Sequence, residues 1–333
     1  MATKLLRILL STILLIVIVV GIVAYSLMSS CNNGDEEIII EVRSVTSIDD
    51  IRQILHGGMG FRLACVLFRY DKTKTGRYSI PPGMSWLQCV RMLHNHSQQP
   101  LQLVLKSVRT TNQLAAFLGE RLMIDSASFA TAFHSVAYLD SIGYTEQTLP
   151  ALFIPNTYEV WWDTTLPHFM ERMQHESNVF WQGERTSLAT HLGLTPTEVA
   201  TLASILDEET ANDAEKPMIA GMYLNRLRIG MPLQADPTIK FAVGDFSLKR
   251  ILHAHLTVDS PYNTYTNTGL PPGPIRIASI AAIDAVLHAV EHPYLYMCAN
   301  SDFSGTHVFA RTYAQHLRNA RLYQKALNQR GIH

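Results

Sequence analysis

The sequence predicts an α+β protein with an N-terminal transmembrane helix, a small α+β module and a larger mixed α/β domain. Three observations carry this. Residues 8–28 form an uncharged apolar run long enough to cross a hydrocarbon core. Residues 38–122 alternate short strand-like and helix-like pieces, the pattern of a compact α+β unit. From residue 126 onward, helical spacing dominates between polar, proline-bearing loops. A chain of 333 residues, 47% of them hydrophobic, can bury a sizeable core in each part. Its 27 Lys and Arg balance 28 Asp and Glu without a basic block, so no nucleic-acid partner is expected.

At the N-terminus, Lys4 and Arg7 precede the apolar run, which places the remaining chain outside the cytoplasm by the positive-inside rule. A cleaved signal peptide would have a shorter apolar region and a small-x-small cleavage site. Cys31, after Met28-Ser29-Ser30, has the place of a lipoprotein cysteine but Met where Leu is usual. Residues 32–37 form a polar spacer. Strands are expected at 38–42, 76–80 and 101–108, and helices at 47–55, 85–93 and 111–122, with Ser47 and Thr110 or Thr111 as caps. Residues 126–142 and 169–181 read as helices, and 150–160 as extended and aromatic. The expected divisions are 1–30 for the anchor, 31–140 for the small module and 141–333 for the larger domain. Cys31, Cys65, Cys89 and Cys298 contain no CxxC pair, so neither a zinc knuckle nor a disulfide framework is indicated; one pair could form in an oxidising compartment.

In the larger domain Thr195 caps a helix, with Pro196 in its first turn and Glu198 closing a capping box. At about 100° per residue, Val199, Leu202, Ile205 and Leu206 share a stripe and Glu209 falls within it. Asp207 and Glu208 are then read as solvated, and Asp207→Asn as mild. Desolvation of Glu209 would raise its pKa, which suits a general acid. The alternative is an acidic patch at a helix end. A second helix follows Glu215-Lys216-Pro217 and stops at Gly230. Pro237 argues against regular structure in the segment bearing Gln234, Asp236 and Thr238. The loop at 260–273 is rich in the hydroxyls, amides and rings that hold sugars. His288, Glu291 and His292 match the inverted zinc-peptidase pattern H-x-x-E-H, but Pro293 disfavours helical geometry at His292.

Leu202-Ala203-Ser204-Ile205 leading to Glu209-Thr210, Asn225-Arg226-Leu227, Leu233-Gln234-Ala235-Asp236-Pro237-Thr238, Tyr262-Asn263-Thr264-Tyr265 and Gly269-Leu270-Pro271-Pro272-Gly273 resemble the MltG/YceG family of endolytic murein transglycosylases. The likeness continues through Pro293-Tyr294-Leu295-Tyr296 and Gly305-Thr306-His307-Val308-Phe309, and residues 76–122 resemble the family's LysM-like subdomain, apart from Lys106-Ser107-Val108-Arg109 where a Val-Glu-Gly-like turn is common. The resemblance implies a single-pass protein of the bacterial inner membrane. Its outer domain would be a lyase cutting the MurNAc–GlcNAc bond of nascent glycan strands, leaving a 1,6-anhydro end and terminating elongation. Glu209 matches the catalytic glutamate, while Asp207 stands where many members have Glu. Glu215, Asn225, Gln234, Asp236, Thr238, Tyr262, Asn263 and Thr264 are the implied substrate-binding residues. No cofactor is implied; partners would be peptidoglycan strands, the membrane and peptidoglycan synthases. The rival from another class is an anchored, non-catalytic peptidoglycan-binding module.

Overall fold

The computed structural model describes residues 2–248 and 250–330. Contacts divide the chain into two compact units, Met1–Leu103 with Arg121–Ile124 and Tyr158–Thr165, and Val104–Glu120 with Asp125–Thr157 and Leu166–His333.

In the first unit, helix α1 (Ala2–Met28) is apolar on every face beyond Arg7, leaves most of those side chains exposed, and is long and apolar enough to cross a membrane. Strand β1 (Ile38–Val42) buries Ile40 and Val42 and pairs antiparallel with β2 (Gly76–Ile80), Ile38 facing Ile80 and Val42 facing Gly76. Between them lie α2 (Ile48–Ile54) and α3 (Met59–Phe68). Ser47 with Asp50 closes a capping box on α2, and Ser85 with Gln88 does the same for α4 (Trp86–His94). Ile40, Val42, Ile51, Phe61, Tyr78, Ile80, Val90 and Leu93 form the core. Gly60 admits the Ser26 carbonyl at the end of α1, against which any Cβ would collide. Strands β3 (Leu101–Leu105) and β4 (Asn156–Val160) form another two-stranded sheet.

The second unit is mostly helical. Helix α5 (Thr111–Gly119) starts at a capping box of Thr110 and Gln113, α6 (Ser126–His134) at Asp125, and α7 (Val136–Ser141) at Ser135. Phe129 of α6 meets Phe169 of α8 (Leu166–Trp181) edge-on at 5.6 Å. Helix α9 (Glu184–Leu192) was not expected from the sequence; Gly183 and Gly193, at φ of 72° and 74°, bracket it. Helix α10 (Pro196–Glu209) begins on the Thr195–Glu198 box and is buried on every side from Val199 to Leu206. Its small residues allow this: Ala200 and Ala203 admit neighbours, while Thr201 and Ser204 spend their hydroxyl protons on helix carbonyls. Around it pack α9, α11 (Lys216–Arg228), α12 (Asp236–Val243) and α13 (Ile280–Leu287). The expectation that Pro237 breaks regular structure is corrected by α12, where it occupies the first turn and needs no N–H partner. Strands β5 (Tyr296–Ala299) and β6 (His307–Ala310) form an antiparallel ribbon, with Ala299 facing His307, and α14 (Tyr313–Gln329) packs on it.

Candidate active site

The end of α10 carries three acids with three different surroundings. Asp207 is not solvated as expected. Its side chain is 7% exposed, it meets Lys216 Nζ at 2.7 Å, and it accepts from the backbone N–H and hydroxyl of Ser279, the cap of α13. Glu208 is not free either, because Arg109 reaches it at 2.9 Å and Arg276 at 2.7 Å. The helical projection gives only the direction in which each side chain leaves α10; it contains nothing about the basic groups and helix N-terminus that distant segments bring up to them.

Glu209 opens into a cavity of about 290 Å³. Tyr223 of α11, almost fully buried, donates its hydroxyl to Glu209 Oε1 at 2.6 Å. Burial is the main force pushing the Glu209 pKa up; the Tyr223 hydrogen bond opposes it, the negative charge of Asp236 adds to it, and His307 and Arg226 counteract. Burial, followed by the Glu209 charge, holds the Tyr223 hydroxyl well above its ordinary pKa, so it remains a donor. Arg226 is buried, giving Nε to Leu295 O at 2.6 Å and Nη1 to Leu233 O at 2.5 Å, with its guanidinium over the Tyr296 ring. It therefore anchors the walls while contributing charge to the cavity.

Two further carboxylates are fixed nearby. Asp236, at the start of α12, accepts from Tyr265 at 2.5 Å, and Tyr265 also lines the cavity. Glu215 accepts from the backbone N–H of His307 at 2.5 Å and faces its Nδ1 at 2.9 Å. This two-point grip fixes the imidazole and places the Nδ1 proton toward the carboxylate. The ribbon and α14 close one wall with Tyr296, Met297, His307, Tyr313 and His316. His316 Nδ1 is buried without a hydrogen-bond partner, and burial lowers the pKa of its ring.

Of the residues singled out in the sequence, Glu209, Gln234 and Asp236 line this cavity, and Glu215 reaches it through His307. The other five support its walls. Asn225 ties down the carbonyls of His292 and Tyr294 at 2.6 and 3.1 Å, and Asn263 those of Leu256 and Val258. Thr238 and Thr264 hydrogen-bond each other at 2.8 Å beneath Gln234, whose backbone N–H reaches Thr264 O. Tyr262 packs on Phe241 with ring centroids 4.6 Å apart. The loop at 260–273 thus enters the cavity through Tyr265. Tyr223, Arg226, Tyr265, Tyr296, His307 and His316 were missed as site residues. Arg226, Tyr265, Tyr296 and His307 lay inside motifs already quoted, which was a usable signal, whereas Tyr223 and His316 lay outside all of them.

The zinc alternative does not survive the geometry. His288 and Glu291 are exposed, and His292 uses Nε2 on Met218 O and Nδ1 on Tyr294 N–H, so the three do not converge. Among the described residues no cluster of His, Cys, Asp and Glu is arranged to hold a metal.

The sequence model of the YceG-like family matches residues 40–322. A protein of Bacillus subtilis named endolytic murein transglycosylase is 35% identical over 168 residues, covering 50% of this chain and 46% of its own. One of the same name from Streptococcus pneumoniae is 25% identical over 306 residues, covering 82% of this chain and 55% of its own. The chain thus spans about half the length of the curated relatives it matches. A crystal structure of a yceG-like protein from Listeria monocytogenes superposes with a TM-score of 0.57 at 26% identity, covering 86% of this chain and 99% of that one. With most of its length matched by the family's sequence model, including every segment that builds the cavity, the chain belongs to the YceG-like family.

Proposed function

We propose that this protein is a membrane-anchored endolytic murein transglycosylase in which Glu209 acts as both general acid and general base. The observation that carries this is a carboxyl with a burial-raised pKa, hydrogen-bonded by Tyr223, at the floor of a polar, ring-lined cavity. Protonated Glu209 gives its proton to the leaving GlcNAc O4 as the muramoyl C1–O bond breaks. The C6 hydroxyl of the same ring then bonds to C1 and returns its proton to Glu209. No water is consumed, and the attack is intramolecular, so it benefits from proximity. Gln234, Tyr265, Tyr296 and the unpartnered His316 Nδ1 offer polar and ring contacts to the sugars, and the Glu215–His307 pair holds the ribbon in place.

A hydrolytic reading has one observation in its favour: Asp236 is a second carboxylate on the same cavity, and a glycosidase needs two. Against it, Asp236 is held by Tyr265.

The anchor would leave the bulk of the chain outside the cytoplasm of a bacterial inner membrane, near peptidoglycan synthases. Our domain reading assigns 1–30 to the anchor, 31–140 to a LysM-like module and 141–333 to catalysis. An open cavity in the module, lined by Arg91, Asn95 and Gln88 beside Met84 and Met92, supports a glycan-holding role for it. Incubation of the purified protein with uncrosslinked glycan strands tests the reading. Strands should shorten internally, giving intermediate lengths early; release of end disaccharides alone, or no cleavage, would overturn it.

A further inference from the structure

Two thiols of the first unit take no part in this mechanism. Cys31 lies three residues beyond α1 and is 7% exposed, and Cys89, in the first turns of α4, is fully buried. The backbone brings them together from distant parts of the sequence. Ser30 and Ser85 form an antiparallel bridge, Cys31 N–H donates to Met84 O at 2.7 Å, and Trp86 N–H donates to Ser29 O at 3.1 Å. Cys89 stands one turn above Ser85, whose carbonyl accepts its N–H at 2.9 Å. Both side chains lie inside the apolar cluster that contains Phe61, Trp86 and Leu93.

We propose that Cys31 and Cys89 are joined by a disulfide in the mature protein, clamping the exit of the membrane anchor to α4. This rests on the extracytoplasmic orientation proposed above, since such bonds persist in oxidising compartments. The oxidant is the disulfide of a thiol–disulfide oxidoreductase. The Cys31 thiolate attacks it, forming a mixed disulfide and releasing one oxidoreductase thiolate; the Cys89 thiolate then attacks the Cys31 sulfur and releases the second. Two protons and two electrons leave the pair, and the oxidoreductase is reduced to its dithiol. Cys31, the less buried of the two and held below its ordinary pKa chiefly by the neighbouring Cys89 thiol, is the attacking partner. Cys65 packs against the same cluster from α3, away from the Ser30–Ser85 bridge that brings Cys31 and α4 together. The exchange takes place as the unit folds, and burial then shields the bond from reductant.

The clamp changes what the polar spacer can do. With Cys31 tied to Cys89, the spacer at 32–37 closes a loop on the module and does not act as a free tether between membrane and module.

Full-length protein from membranes, with free thiols alkylated in acidic denaturant and digested without reduction, tests this. The expected result is a Cys31 peptide linked to a Cys89 peptide, separated by reductant, with Cys65 and Cys298 alkylated. Alkylation of both Cys31 and Cys89, a Cys65–Cys89 link, or Cys31 recovered as a lipid-modified N-terminal residue would each overturn it. Protease treatment of intact spheroplasts reads the orientation separately. Digestion of the bulk of the chain together with free thiols defeats the disulfide alone; a protected chain defeats the orientation.

Discussion

At Glu209, burial has opposite consequences for stability and for chemistry. A carboxyl whose pKa is raised by folding stabilises the protein in its protonated form. That contribution is complete below the unfolded value near 4.3 and is lost as pH rises through the folded value. Glu209→Gln retains an oxygen for Tyr223 and cannot ionise, so it should melt higher than wild type at pH 7, with the difference closing below about pH 4. A variant that melts lower at pH 7 would contradict the burial argument. The alkaline limb of the activity profile should report the same carboxyl. Asp236→Asn removes a repulsion and should move that limb to lower pH; Tyr223→Phe removes a bond to the charged form and should move it to higher pH. Shifts in the same direction for both would show that the limb belongs to another group. Asp207 is a different case, because Asp207→Asn leaves Lys216 buried with only Asp213 and weakens the cap on α13. It should cost about 3 kcal/mol, measured by denaturant unfolding; a loss under about 1 kcal/mol would argue that water replaces the carboxylate. The place of Glu209 on α10 was legible in the sequence, because it follows from helix geometry alone. The surroundings of Asp207 and Glu208 were not, since Ser279, Arg276 and Arg109 lie far off in the chain.

Among the elements, capped helices were the most legible. Ser47, Ser85, Thr110 and Thr195 each begin a helix with a reciprocal capping box that short sequence spacing is enough to signal. The burial of α10 on every face was harder to see, because an apolar stripe predicts one packed side and says nothing about how closely neighbours approach the other. Close approach also governs α11. A Cβ at Gly221 would collide with the Val290 carbonyl and come within 2.9 Å of His292 Nε2. That segment leads directly into β5, which supplies Tyr296 to the cavity. Gly221→Ala should therefore destabilise by about 1–3 kcal/mol and depress activity although residue 221 does not line the cavity. A variant of wild-type stability and activity would show that the 290–292 segment yields freely.

For the whole molecule, the long N-terminal apolar helix and the mixture of helix and strand were legible, but not the pairing of β1 with β2 or the ribbon that completes the cavity wall. Those depend on contacts between segments whose spacing no local signal records. The anchor prediction belongs to this scale. A helix apolar on all faces and left exposed should hold the intact chain in the membrane fraction until detergent is added. A soluble mature form beginning after residue 28 would identify the run as a cleaved signal.

The central claim is that one carboxyl, Glu209, drives an intramolecular cut. Mass analysis of the ends formed on purified glycan strands tests it most directly, with wild type and Glu209→Gln run side by side. An anhydro end is one water lighter than a reducing end. Wild type should yield anhydro ends, and Glu209→Gln should form them at least about 10² to 10⁴ times more slowly. Reducing ends from the wild type, or undiminished anhydro ends from the variant, would contradict the account.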